Sequence, residues 1–179
     1  MRSADPLNDG VIRLRAWDVA DAPWYAEVAA NDPEIQRFTS ESPDTTADQV
    51  RAAIEQLLAG PPQAVGFVIT DAVTGERLGN IALEIEAGVG HMSYWLAAPA
   101  RGRGAATIAL KLFSAWAFGH LGLAELRLWA HADNTPSRAV AVRAGYNRDP
   151  DRDEIKQIKG EPWPGAAYVM RMRDVIADR

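Results

Sequence analysis

One stretch constrains this chain more than any other: Tyr94 to Gly119, YWLAAPARGRGAATIALKLFSAWAFG. It reads as a short apolar strand, a Pro-containing loop, a glycine-rich turn and a long amphipathic helix. Within the turn, Arg101-Gly102-Arg103-Gly104-Ala105-Ala106, four of six positions carry nothing larger than a methyl group. Small residues let a backbone approach a ligand closely, and the first amides of a helix have no partner inside it. The combination suits an anion, above all a phosphate or pyrophosphate, and the two arginines strengthen that reading. By itself the pattern fits an ordinary strand-to-helix turn equally well. After the helix, Glu125–Ala130 (ELRLWA) alternates as a strand. A strand on either side of one helix makes a crossover, whose strands pair in parallel or splay around a crevice.

The rest of the chain supplies the other elements. Gly10–Trp17 alternates Val11, Arg13 and Arg15 against Ile12, Leu14 and Ala16, the period of a half-buried strand. Asp21 stands where it would cap a helix over Ala22–Ala30, with Pro23 in its first turn and Asn31-Asp32-Pro33 as its stop. Glu34–Phe38 reads as a short helix or turn and Thr39–Asp44 as a loop. Thr45 or Thr46 caps a helix over Ala47–Leu58, which Gly60-Pro61-Pro62 ends. Ala64–Thr70, Leu78–Glu86 and His91–Leu96 then form an antiparallel meander. On the long helix, Ile108, Leu112, Ala115 and Trp116 mark the stripe expected to be buried, with Leu110 and Phe113 beside it. Asp133–Ser137 opens a further helix through Arg143, with Thr135 as its cap; Gly145 ends it and Tyr146 starts a return strand. Ala167–Met172 is a last strand, and the charged stretch Asn147–Gly165 shows no readable pairing. Trp24, Trp116 and Trp129 read as core residues.

Composition narrows the classes. With 179 residues the chain has room for one domain with a full core, spanning about residues 10–173. No apolar run approaches the ~20 residues that span a bilayer, and MRSADPLNDG lacks the apolar region of a signal peptide. A net charge of −5 without a basic run argues against nucleic-acid binding. The absence of cysteine rules out thiolate catalysis and disulfides and fits a cytoplasmic protein. His91, His120 and His131 are too scattered to argue for a metal.

Taken together, the order of elements resembles the GNAT superfamily of acyl-CoA-dependent N-acetyltransferases, and most closely its ribosomal-protein N-terminal acetyltransferase-like (Rim-type) branch. The superfamily signature Gln/Arg-x-x-Gly-x-Gly/Ala is met by Arg101, Gly104 and Ala106. Tyr94-Trp95-Leu96 with Pro99, then Asn134 and Ser137 ahead of Gly145-Tyr146, match the branch in order and separation. The resemblance covers about Val11 to Met172. It implies an α/β (α+β) fold with a mixed, mostly antiparallel central sheet of six or seven strands, splayed between the fourth and fifth and flanked by helices.

It also implies acetyl-CoA as cosubstrate and no metal. Its pyrophosphate would lie on the turn Arg101, Gly102, Arg103, Gly104, Ala105 and Ala106, its pantetheine arm along Leu96 and against Asn134, and its sulfur near Ser137. Direct attack by an amine needs a base, an oxyanion donor near Leu96 or Ala97, and a donor for the thiolate. Two positions depart from the wider family. The usual Tyr on the last helix is Ala141, which leaves Ser137 as the local substitute. The usual strand Glu is His91, and an imidazole titrates close to neutrality. His91 fits both a base and a structural histidine, and Ser137 and Asn134 both have capping as an alternative role. The acceptor expected from the branch is a protein N-terminus. A small-molecule amine such as an aminoglycoside or polyamine, or a non-catalytic acyl-CoA-binding domain, are the alternatives. Dimers are frequent in the branch, so a homodimer is one of the states open to the chain. Acceptor choice is expected to rest with 34–44 and 154–164.

Overall fold

The structure, a computed structural model, describes residues 7–60 and 63–173. Most of MRSADPLNDG and the helix-ending Pro61-Pro62 therefore lie outside the described residues. Among the described residues eight strands form the sheet: β1 (Ile12–Ala16), β2 (Ala64–Asp71), β3 (Arg77–Glu86), β4 (Val89–Leu96), β5 (Glu125–His131), β6 (Asn147–Arg148), β7 (Ile155–Ile158) and β8 (Glu161–Arg171). Their order is β1-β2-β3-β4-β5-β8-β6, with β7 hairpinned onto β8. Every pairing is antiparallel except β4 with β5. The mixed, mostly antiparallel sheet and its flanking helices are as expected, with one strand beyond the expected range.

Among the described residues five α-helices flank it: α1 (Ala22–Asn31), α2 (Pro33–Phe38), α3 (Ala47–Ala59), α4 (Ala105–Leu121) and α5 (Thr135–Arg143). The larger core lies between the sheet and α4, where Ile69, Ile81, Leu83, Leu126 and Phe113 are fully buried. A smaller core on the other face packs Trp17, Ala26, Val50 and Ile54 against Val68. Two apolar faces on one sheet explain why β2 reads as a continuous apolar run rather than an alternation.

Several local details differ from the sequence expectation. The buried face of α4 is Ala105, Ala106, Ala109, Leu110, Phe113, Ser114, Ala117 and Phe118; Ala115 is exposed and Ile108, Leu112 and Trp116 are half-buried. This helix is apolar on most sides, so its periodicity selects no single face, and the alanines let it sit close on the sheet. Thr46 is the cap of α3, in a reciprocal capping box with Gln49. Asp21 makes no capping bond to α1. Its buried carboxylate instead accepts from Arg15 Nη1 and Nη2 at 2.9 and 3.0 Å, Arg77 Nε at 2.7 Å and the Asp18 amide at 2.9 Å. Burial by itself would raise this carboxyl, but those donors outweigh it and hold the group down at about 2.

The stretch 147–165 resolves into the short β6, a 3-10 turn at Pro150–Arg152 and the hairpin β7–β8. The hairpin turns at Lys159 and Gly160, both with positive φ (55° and 77°). Trp129 is not a core residue: it is half-buried, and its indole lies where a side chain on Gly165 would stand, 1.8 Å from the position of the missing Cβ.

Candidate active site

Strands β4 and β5 pair for only four rungs, from Val89 opposite Glu125 to Met92 opposite Leu128. Beyond that β4 runs on to Leu96 and β5 to His131 without pairing to each other. The gap opens into a crevice of ≈ 1020 Å³. On its far side β4 stays paired to β3, and the Ala97 amide bonds Leu78 O at 2.9 Å in the same register. Antiparallel alternation then turns the main-chain groups of Tyr94 and Leu96 toward the gap. Ala97 cannot serve as a free donor there, because its N–H is spent on β3.

The glycine turn forms one end of the crevice. Gly102 and Gly104 have φ of 76° and 81°, and a Cβ on either would meet nothing within 4 Å. Glycine is therefore required by the left-handed conformation, and the space before it is open. Gly104 caps α4 without a side chain, so the amides of Ala105, Ala106 and Thr107 begin a 17-residue helix with no side-chain partner at the cap. Beside them Thr107 Oγ1 is buried and has no hydrogen-bond partner. An orphaned hydroxyl among unsatisfied amides is a site that fits an anionic ligand.

The two arginines of the turn differ: Arg101 spends its charge on carboxylates, whereas Arg103 bonds a neutral carbonyl. Arg101 donates to Asp32 at 2.7 Å, to Glu34 at 3.2 Å and, through Nε, to Leu96 O at 3.1 Å. Arg103 is exposed and its guanidinium donates to Pro99 O. Asn134, rather than Thr135, caps α5, its Oδ1 accepting from the Ser137 amide at 3.1 Å.

Across the gap, the Tyr94 hydroxyl meets Ser137 Oγ at 2.9 Å and Ser137 O at 3.1 Å. Burial pushes the Tyr94 phenol up to about 12. This contact was not read from the sequence; the only signal was that Tyr94 alternates with His91, Ser93 and Trp95 and so faces α4 and α5. Ala141, one turn beyond Ser137, is fully buried.

His91 stands on the opposite face of the sheet. It is half-buried and lines the crevice, with Glu84 of β3 and Arg127 of β5 as its register neighbours. On this side the walls are α2 with the loop after it and the hairpin β7–β8, the two segments expected to govern the acceptor. Glu34, Glu41 and Glu84 face the opening, and Tyr25 donates its hydroxyl to Glu41. Burial first, and then the Glu41 charge, push the Tyr25 phenol far above its ordinary range. Phe38, His131 and Trp163 stack edge to tilt with centroids 5.7 and 5.5 Å apart, and Lys159 Nζ donates to Gln36 O at 2.5 Å. These contacts tie hairpin to helix over the opening. Among the described residues no helix is long and apolar enough to cross a membrane.

The comparisons agree with this geometry. No curated protein matches the sequence. Among solved structures, RimL, a ribosomal L7/L12 alpha-N-protein acetyltransferase in complex with coenzyme A, superposes with a TM-score of 0.77 at 18% identity, covering 94% of this chain and 98% of that one. Mycobacterium smegmatis RimJ in complex with CoA-disulfide gives 0.78 at 19% identity, over 94% and 90% of the two chains. The microcin C7 self-immunity acetyltransferase MccE, in complex with acetyl-CoA and AMP, gives 0.78 at 19% identity, over 93% and 94% of the two chains. At these identities the likeness is one of fold. The model of the acetyltransferase (GNAT) domain matches residues 12–147, which takes in the splayed strands, the glycine turn and the capped helix. The chain belongs to the GNAT acetyltransferase family.

Proposed function

We propose that this enzyme moves the acetyl group of acetyl-CoA to a primary amine by direct attack, with a protein N-terminus as the favoured acceptor. The observation that carries the reading is the splay itself. Main-chain groups of Tyr94 and the amide of Leu96, left without a β5 partner, run toward a turn whose free amides and orphaned Thr107 hydroxyl suit a pyrophosphate. A pantetheine arm carries amides that suit such a strand edge, and relatives of this fold are seen with CoA or acetyl-CoA.

In this scheme the amides of Gly102 to Thr107 hold the pyrophosphate, while Arg101 shapes the turn rather than contacting the phosphates. Asn134 offers its remaining amide group to the pantetheine. The amine approaches from the face that carries His91, Glu84 and Glu41, and its carboxylates favour a cationic acceptor. His91 accepts the proton that the amine loses. The nitrogen lone pair then forms the C–N bond while the carbonyl π pair moves to oxygen, where the Leu96 amide steadies it, and the nitrogen passes its second surplus proton to solvent in the crevice. The C–S bond breaks, its electron pair goes to sulfur, and Ser137 supplies the thiolate with a proton that solvent in the crevice restores. The same carboxylate face also suits a small polyamine. The enzyme is read as a single domain acting in the cytoplasm, in keeping with its lack of cysteine.

Thiol release from acetyl-CoA, measured against peptides with free N-termini and against small amines, tests the reading. Turnover with mass-spectrometric acetylation of the peptide amine is expected. Tight CoA binding without thiol release for any amine would instead make this a non-catalytic acyl-CoA-binding domain.

A further inference from the structure

The pair formed by Tyr94 and Ser137 links the two walls of the crevice: a β4 phenol reaches across to the first turn of α5. Ser137 is a weak proton source alone. Its hydroxyl improves as a donor when its oxygen accepts a hydrogen bond, because polarisation along a chain strengthens each link. The Tyr94 hydroxyl has one hydrogen and two acceptors within reach, Ser137 O at 3.1 Å and Ser137 Oγ at 2.9 Å. Given to the carbonyl, that hydrogen leaves Oγ–H aimed at Tyr94; given to Oγ, it frees the serine proton for the crevice. The Ser137 amide is meanwhile fixed by Asn134 Oδ1, so the side chain pivots on a held backbone.

We infer that Tyr94 is the positioning residue for thiolate protonation, switching its hydrogen bond from Ser137 O to Ser137 Oγ as charge develops on the sulfur. The inference rests on the acetyl-transfer reading of the crevice. When the C–S bond breaks, the Ser137 proton moves to sulfur, the Tyr94 hydrogen bond stabilises the serine oxygen, and solvent returns a proton to it. Tyr94 keeps its own proton throughout, in accord with a phenol pushed up to about 12 by burial. The hydroxyl from β4 thus supports Ser137 in the role that Ala141 cannot carry.

Two measurements on the full chain test this. With CoA bound, the thiol is titrated by thiolate ultraviolet absorbance, a reading that needs no amine. Relative to wild type, the thiolate fraction below its midpoint is expected to fall about tenfold in Ser137→Ala and about threefold in Tyr94→Phe, as charge-assisted donors are lost. In turnover, kcat is expected to fall about 100-fold and about tenfold respectively, with the KM for acetyl-CoA within about threefold. The double variant should be no slower than Ser137→Ala, since residues acting as one unit are non-additive. Equal additive losses from Tyr94→Phe in both backgrounds, or a bound thiol that titrates alike in all variants, overturn the inference alone. Failure of the wild type to bind CoA overturns both it and the acetyl-transfer reading. Thermal melting of Tyr94→Phe within about 2 °C of wild type excludes misfolding as the cause of its losses.

Discussion

Arg101 and Asp32 form a 2.7 Å ion pair that joins the glycine turn to the start of α2. Asp32 uses its other oxygen to cap α2 at the Glu34 and Ile35 amides, and Arg101 uses Nε to hold Leu96 O. One guanidinium therefore ties together the glycine turn, the end of the splayed strand and the start of α2. Arg101→Ala is expected to raise the KM values for both acetyl-CoA and the amine and to lower stability by about 2 kcal/mol, because the buried Asp32 loses its ion-pair partner. An effect on acetyl-CoA alone, in steady-state kinetics with both substrates varied, would make Arg101 a phosphate ligand instead.

Gly104 stands at φ 81° with open space before it. Gly104→Val both strains the turn, by about 1–2 kcal/mol, and fills the approach to the α4 amides. Calorimetry should show acetyl-CoA affinity reduced at least about tenfold, and Gly104→Ala an intermediate loss. Wild-type affinity in Gly104→Val would remove the pyrophosphate from this turn.

His91 and the Tyr94–Ser137 pair lie on opposite faces of β4, so in the proposed scheme their losses should differ in kind. His91→Ala is expected to lower kcat/KM about 100-fold and to abolish the acidic limb of its pH profile. A slower enzyme with that limb intact would assign the base elsewhere on the face, with Glu84 next to be replaced.

Asp21 gives the fold a defined acid sensitivity. Its carboxyl titrates at about 2 in the folded protein, below its ordinary 3.8. A depressed folded value means that the stabilisation is complete above the unfolded pKa and is lost as pH falls through the folded one. The contribution is about 2 kcal/mol near neutrality. Urea midpoints measured from about pH 6 down to 2 should fall more steeply in wild type than in Asp21→Asn. The variant should also be less stable at neutral pH by about 3 kcal/mol, since Arg15 and Arg77 lose their shared partner. Parallel curves would show that the three groups are not coupled.

Local signals carried much of this architecture into the sequence. Alternation located β1, β3 and β5, and the glycine turn located the start of α4. What stayed hidden depends on partners remote in the chain. Asp21 looks like a helix cap until Arg77, 56 residues away, takes its carboxylate. Tyr94 and Ser137 are 43 residues apart and meet only because β4 and β5 part. The hairpin β7–β8 escaped notice because its strands contain Pro162 and Pro164 and its turn uses Lys159, a residue that rarely signals positive φ. Arg101 looked like an anion ligand because its carboxylate partners come from α2, 67 and 69 residues upstream.

The four-rung pairing of β4 with β5 leaves the sheet unfinished at its centre. An arm whose amides lie along Tyr94 and Leu96 would complete it, so the substrate becomes a structural member of the protein that consumes it. Melting temperature should then climb with acetyl-CoA concentration. Deacylation would leave that member in place, and the departure of CoA, which reopens the sheet, becomes the step that ends each cycle.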